Sequence, residues 1–192
     1  ITFPDKSNNK LVVFLHGFKG FKDWGCFNLI SKIFAQNGFT FLKFNFSHNG
    51  TTIDDPLNFN DLEAFGNNNF SMELNDLSLV LDWSVQNLNL LDITLLGHSR
   101  GGGVSILKSG EDTRVKRVIS WSSPSSFLNR ASSDRIETWK QKGVSFVYNG
   151  RTKQNMPLYI QFYNDCEQNK DRLNIQNSVS SLTIPQLIIH GD

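Results

Sequence analysis

The sequence has little of what several protein classes require. Its two cysteines, Cys26 and Cys166, are too few for a disulfide framework, so we expect them to be buried or incidental thiols. It has 19 Lys and Arg against 18 Asp and Glu, a net charge of +1, and no basic run that would indicate nucleic-acid binding. No apolar stretch approaches the roughly 20 residues of a membrane-spanning helix. The sequence therefore predicts no nucleic-acid partner and no membrane partner.

Motifs for bound cofactors are also missing. The chain contains no G-x-G-x-x-G or G-x-x-x-x-G-K-[ST] loop for a nucleotide phosphate. It also lacks an H-E-x-x-H motif, a Cys/His cluster and a paired-Asp loop. We therefore expect no cofactor and no metal.

Apolar runs alternate with helical patterns along most of the chain. Continuous apolar runs of this kind are typical of strands buried on both faces of a parallel sheet. A polar stretch, residues 47–69, is predicted to be a connection. The predicted strands span residues 10–15, 39–46, 93–96, 115–121 and 185–190.

Helix signals lie between these runs. Asp23 is a candidate cap for a first helix that stops at Gly38, and Ser71 is a candidate cap for a second with Glu73 in its first turn. A third, short helix ends near Gly110. The alternation predicts an α/β fold as one domain over residues 1–192, a three-layer sandwich with a mostly parallel sheet.

The interval 122–184 interrupts this alternation. It is far longer than a normal connection, and it mixes aromatic with polar residues. We interpret it as a lid or cap inserted between the last two strands, with its own helices. Its aromatic residues are Trp139, Phe146, Tyr148, Tyr159, Phe162 and Tyr163.

Residues 97–101 match the G-x-S-x-G pattern of a nucleophile elbow. Ser99 follows a predicted buried strand and opens a predicted helix, which is the context that this mechanism requires. The strained turn excludes bulky neighbours, and Gly97 and Gly101 occupy the two flanking positions. The alternative is a glycine-rich turn that only allows close packing of helix and strand.

A His-Gly-Phe sequence, His16 to Phe18, ends the first predicted strand. Acyl transfer needs backbone N–H donors for the developing oxyanion, from this loop and from the residue after the nucleophile. The candidate donors are therefore the main-chain N–H groups of Phe18 and Arg100. We expect His16 to hold the loop. The Arg100 side chain could fix the loop or contact an acidic substrate group, and the sequence leaves this open.

The order and spacing of these motifs resemble the α/β-hydrolase superfamily. Within it, the sequence is most similar to bacterial serine hydrolases of the feruloyl/cinnamoyl-esterase and dienelactone-hydrolase-like type. The resemblance implies a nucleophile elbow, an oxyanion hole and an inserted lid. The matching segments are residues 16–18, 44–50, 97–102 and 185–192.

The resemblance also implies a catalytic acid and then a histidine after Ser99. Asp192 is a candidate acid, but in the family pattern His-Gly-x-x-Asp the acid stands about three residues after the glycine. Asp192 directly follows Gly191. The only histidine after Ser99 is His190, which precedes that place. We therefore expect the acid and the base to lie beyond residue 192, the fold to be incomplete at its C-terminus, and the 192-residue chain to turn over little substrate.

The leading hypothesis is a serine esterase that forms an acyl-enzyme at Ser99 with a small-molecule ester. The resemblance and the aromatic residues of the insertion indicate a preference for aromatic acyl groups. Peptidases, thioesterases and lipases share these motifs, so the type of bond stays open. A second hypothesis is a catalytically inactive binding protein with the same fold. Scarce cysteine and the lack of a visible signal indicate a cytoplasmic protein, although a signal could have preceded Ile1. The oligomeric state is not predicted.

Overall fold

The computed structural model of the protein describes residues 1–128 and 132–191. Strands and helices alternate along these residues. In chain order they are β1 (Lys10–Leu15), α1 (Phe27–Gln36), β2 (Thr40–Lys43), α2 (Leu62–Asn67), α3 (Phe70–Leu88), β3 (Asp92–His98), α4 (Arg100–Glu111), β4 (Val115–Trp121), α5 (Ser133–Lys142), β5 (Val144–Asn149), β6 (Gln154–Tyr159), α6 (Ile160–Gln168), α7 (Ile175–Ser181) and β7 (Gln186–Ile189).

The main sheet has the strand order β2-β1-β3-β4-β7, and every neighbouring pair is parallel. Side chains of β1 alternate between two cores. Leu11 and Val13 join the core that contains α3 and α4, and Val12 and Phe14 join the core that contains α1. A parallel sheet with helices on both faces buries its central strands completely. The predicted three-layer α/β fold is therefore confirmed.

Three strands differ from the predictions, two of them where a partner strand ends. β1 and β4 have the predicted bounds, and β3 is longer than the predicted 93–96 because Asp92 also pairs with β1 and His98 with β4. The strand predicted for residues 39–46 stops at Lys43, which pairs with Phe14 near the end of β1. The strand predicted for residues 185–190 stops at Ile189, which pairs with Trp121 at the end of β4. A strand without a neighbour loses its ladder of hydrogen bonds, which explains both corrections.

Two helix starts also differ from the predictions. Asn69, and not Ser71, caps α3, because its side chain accepts a hydrogen bond from the Met72 N–H at 2.8 Å. Asp23 does not cap α1, which begins at Phe27. Its carboxylate forms ion pairs with lysine side chains instead, and these hold its pKa below the usual value although burial opposes them.

The predicted polar connection contains α2. Asp61 caps this helix by accepting a hydrogen bond from the Ala64 N–H at 2.9 Å. Only Phe65 and Gly66 are buried in it, so the segment lacks the apolar repeat by which a longer helix is recognised.

The segment between β4 and β7 contains α5, an antiparallel hairpin of β5 and β6, α6 and α7. This segment shares a core with the connection between β2 and α3. The core contains Trp139, Met156 and Leu158 of the segment and Phe59 and Phe65 of the connection. In contrast, α7 belongs to the main core, where Ile175 is buried. None of the helices in the described residues has the length and hydrophobicity that crossing a bilayer requires.

Candidate active site

Ser99 occupies a strained turn between β3 and α4. Its backbone has φ 54° and ψ −121°, a region that residues other than glycine rarely adopt. Such a torsion costs on the order of 1–3 kcal/mol and persists only where the surrounding structure enforces it. The Ser99 N–H donates to the Trp121 carbonyl at 2.8 Å, and the Gly102 N–H donates to the Ser99 carbonyl at 2.9 Å. These hydrogen bonds hold the turn between the two strands and the helix.

Two glycines leave the space that this turn requires. A Cβ at Gly97 would lie 2.1 Å from the Gly101 carbonyl oxygen, and a Cβ at Gly101 would lie 2.4 Å from the Leu15 carbonyl oxygen. Both contacts involve main chain, which cannot rotate away as a side chain can. Gly17 is close as well, because its Cβ would lie 2.9 Å from the Ser99 Cβ. The loop after β1 therefore passes directly against Ser99.

The two candidate donors flank Ser99. Arg100 is the first residue of α4, where a helical N–H has no partner within the helix. Phe18 belongs to the loop that contacts Ser99 through Gly17. Within the described part of the chain, the main-chain N–H groups of Phe18 and Arg100 have no acceptor. The free Arg100 N–H at the start of α4 favours binding of negative charge, and the Phe18 N–H is a second free donor in the loop beside Ser99.

His16 fixes the loop after β1. The ring is buried, and its Nε2 accepts from the Phe46 N–H at 3.3 Å. The proton therefore lies on Nδ1, which donates to the Gly17 carbonyl oxygen at 2.9 Å. Burial lowers the pKa of His16 to about 4, the Gly17 carbonyl opposes this, and the nearby Arg100 cation adds to it. Both ring nitrogens are engaged away from Ser99.

The Arg100 side chain is held by a carboxylate of α3. Its Nη1 donates to Glu73 Oε1 at 3.1 Å, and Glu73 Oε1 also accepts from Asn68 Nδ2 at 2.7 Å. Burial raises the pKa of Glu73, while the guanidinium and the Asn68 amide partly offset this rise. The guanidinium carbon lies 4.1 Å from the Phe18 ring centroid and 4.9 Å from that of Phe70.

A cavity of about 560 Å³ opens at Ser99. Aromatic side chains from the residues before β4 and from the segment between β4 and β7 form much of its wall. Of the aromatic residues predicted in the insertion, Trp139 and Phe162 line the cavity, while Phe146 and Tyr148 are exposed. The lining residues are Phe18, Phe70, Ser99, Arg100, Ser122, Ser123, Pro124, Phe127, Arg135, Trp139, Leu158, Phe162 and His190.

No proton acceptor for Ser99 is found within the described residues. Ser99 Oγ has no hydrogen-bond partner there. The His98 ring packs against the rings of Phe27 and Trp121, and burial lowers its pKa. His190 lines the cavity, but its Nδ1 lies 3.1 Å from the Gly191 carbonyl oxygen. Asp192, the candidate acid, lies outside the described residues.

Sequence reasoning missed the surroundings of Arg100. The sequence pattern marks Glu73 only as an acidic residue in a first helical turn, yet it is 2% exposed. A signal was present, because Glu73 lies at helical spacing from Phe70 and Leu77 on the apolar stripe of α3. A carboxylate on such a stripe indicates a buried charge with a specific partner. Elsewhere, no three His, Cys, Asp or Glu side chains of residues 1–128 and 132–191 group closely enough to hold a metal ion.

Comparisons with known proteins agree with this geometry. The profile of the alpha/beta hydrolase fold family matches residues 10–192. A Mycoplasma genitalium protein with the provisional name esterase/lipase 2 is 30% identical over 105 residues. That match covers 55% of this chain and 34% of the relative, so the chain spans about a third of the length of this relative.

Solved structures share the fold at low identity. Est1E from Butyrivibrio proteoclasticus with bound ferulic acid superposes with a TM-score of 0.71 at 18% identity, covering 100% of this chain and 73% of that one. An esterase domain from Rhodothermus marinus gives a TM-score of 0.60 at 20% identity, covering 98% of this chain and 68% of that one. At these identities, the likeness establishes the fold.

Proposed function

Because the chain belongs to the alpha/beta hydrolase family, we propose that it is a serine esterase that attacks carboxylic esters with Ser99. One observation carries the proposal: Ser99 is held at φ 54° in the wall of a cavity, beside two free backbone donors. A hydroxyl at a strained strand-to-helix turn is presented to a ligand in the cavity. Gly97 and Gly101 allow that turn, which supports the interpretation as a nucleophile elbow.

The chemistry follows the usual course of acyl transfer. Ser99 Oγ attacks the ester carbonyl carbon and gives its proton to a base, and the carbonyl oxygen becomes an oxyanion that accepts from the Phe18 and Arg100 N–H groups. The C–O bond to the alcohol then breaks, and the alcohol leaves with the proton. Water hydrolyses the acyl-enzyme and restores Ser99. Preorganised donors of this kind contribute about 10²–10³ each to the rate.

The test is covalent labelling of Ser99. A fluorophosphonate probe phosphonylates a serine whose proton is taken by a base, so with imidazole supplied as that base we expect the native protein to gain one probe mass and Ser99→Ala to gain none. Labelling at several serines, or only after unfolding, would favour the inactive binding protein. Esters, thioesters and aminoacyl amides of one acyl group would then identify the bond that is cleaved.

The cavity lining supports a preference for aromatic acyl groups. Phe70, Phe127, Trp139 and Phe162 surround the space beside Ser99, and aromatic surfaces favour stacked or edge-on rings. The similar Est1E structure contains ferulic acid, an aromatic acid. We propose that α5, the β5–β6 hairpin and α6 act as the lid of this pocket. Acylation of Ser99 by p-nitrophenyl cinnamate and by p-nitrophenyl butyrate tests the preference, and equal or inverted rate constants would contradict it.

A further inference from the structure

Glu73 is a buried carboxylate that the proposed chemistry does not use. Its side chain is 3% exposed, and Oε1 takes hydrogen bonds from both Arg100 and Asn68. Its Oε2 is buried and has no hydrogen-bond partner in the described part of the chain. A buried charge pair is commonly no more stabilising than apolar side chains of similar volume. Stability of α3 alone therefore does not explain a glutamate here.

The Glu73–Arg100 pair reaches both candidate oxyanion donors. Arg100 provides one donor from its own main chain, at the start of α4. Its guanidinium lies over the ring of Phe18, the residue that provides the other donor, and that ring also stacks on Phe65. The Glu73 carboxylate thus holds the side chain of one donor residue, Arg100, and that side chain packs against the other donor residue, Phe18.

The contact behind the loop is tight. Glu73 and Arg100 border a space of only about 10 Å³ together with His16, Gly17 and Phe18. Because Glu73 is buried and so little free volume lies beside it, a displaced Glu73 carboxylate would push against the loop after β1. The position of Glu73 is therefore coupled to that of the Phe18 N–H.

We propose that Glu73 is a positioning residue of the Ser99 site: through Arg100, it fixes the Phe18 and Arg100 N–H groups in the arrangement that an oxyanion requires. This inference rests on the proposed function, because it assumes that these groups receive the oxyanion. Glu73 itself touches neither substrate nor Ser99 in this role.

The experiment measures the phosphonylation of Ser99 in the 192-residue protein, at one fixed concentration of imidazole that supplies the base which the described residues do not place at Ser99. The maximal rate constant and the half-saturating probe concentration are determined for wild type and for Glu73→Gln, which keeps the shape and removes the charge. We expect Glu73→Gln to lower the maximal rate constant about tenfold or more, part of the 10²–10³ that one oxyanion donor contributes. The half-saturating concentration should stay within about twofold, and all protein should label in the end.

Glu111→Gln is the matched control. Glu111 is a carboxylate at the far end of α4, paired with Lys108 and Arg172, and its variant should label at the wild-type rate. Glu73→Asp should restore part of the rate, because it keeps the charge with a shorter reach. A wild-type rate constant in Glu73→Gln would overturn the inference, as would a smaller labelled fraction at an unchanged rate, which indicates misfolding alone.

A second variant covers loss of folding. Glu73→Gln combined with Arg100→Met removes both charges, so neither is left buried and unpaired. If Glu73→Gln does not fold, this double variant should fold and label about tenfold or more slowly than wild type, and wild-type labelling would again overturn the inference. If wild type itself does not label at Ser99, the proposed function fails, and this inference fails with it.

Discussion

At the scale of single residues, the sharpest prediction about stability concerns Gly101. A Cβ there would lie 2.4 Å from the Leu15 carbonyl oxygen and 2.6 Å from that of His16. Because both are main-chain atoms, Gly101→Ala should lower the free energy of unfolding by about 3 kcal/mol or more. At Gly110, on the same helix, a Cβ would find its nearest neighbour at 3.9 Å, so Gly110→Ala should be neutral or stabilise by up to about 1 kcal/mol. Thermal unfolding followed by circular dichroism compares the two, and equal melting temperatures would contradict the close approach.

The buried His16 should make the free energy of unfolding depend on pH. Burial lowers its pKa from 6.5 to about 4, so the unfolded chain takes up the proton first as the pH falls. The contribution of the neutral ring is complete above about pH 6.5 and is lost as the pH falls toward 4. Between pH 8 and pH 5, wild type should lose about 2 kcal/mol more stability than His16→Gln, which cannot titrate. Urea unfolding at both pH values measures this difference, and parallel losses in the two proteins would refute it.

At the scale of elements, Asn69 joins the start of α3 to α6 in the segment between β4 and β7. Its side-chain oxygen accepts from the Met72 N–H, and its amide donates to Gln161 Oε1 at 2.6 Å. Asn69→Ala loses both hydrogen bonds, whereas Asn69→Asp keeps the helix cap and loses only the bond to Gln161 of α6. We expect the alanine variant to be less stable than the aspartate variant by about 1 kcal/mol, the usual value of an N-cap. Chemical unfolding of the two variants checks this, and equal stabilities would mean that the cap contributes nothing.

Elements could be predicted where local pattern and tertiary packing agree. β1 and β4 have the predicted bounds because a run of apolar residues needs cover on both faces wherever it lies in the chain. α2 could not be predicted, because its place depends on contact with β6: a Cβ at Gly66 would lie 2.7 Å from the Tyr159 ring. That contact joins residues 93 positions apart in a way that no local repeat reveals.

The site shows the same division between local and distant residues. Gly97, Ser99 and Arg100 are neighbours in sequence, so one turn motif predicts the nucleophile and one donor together. Glu73 is 27 positions from Arg100, and their contact depends on how α3 packs beside α4. The sequence indicates an acidic residue near a helix start. Only the packing of the helices shows that Glu73 pairs with the Arg100 guanidinium.

At the scale of the whole molecule, the described residues bring the candidate nucleophile and the two candidate donors together without a placed base. The rings of His16 and His98 are held elsewhere, and His48 is half-buried and hydrogen-bonded to Ser47. His190 alone among the described histidines lines the cavity with Ser99. We therefore expect the 192-residue chain to acylate slowly, because serine without a general base is a weak nucleophile.

A soluble base should then accept the Ser99 proton and restore part of the hydrolysis rate. Imidazole is small beside a cavity of about 560 Å³, and a positioned base contributes about 10²–10⁴ to such reactions. We expect added imidazole to raise the Ser99-dependent hydrolysis of p-nitrophenyl acetate by about tenfold, less than a fixed base would give because free imidazole must be captured and oriented. Ser99→Ala measures the reaction of imidazole with the ester in solution, which is subtracted. Fast hydrolysis without imidazole that disappears in His190→Ala would contradict the prediction, because it would identify His190 as a base already in place.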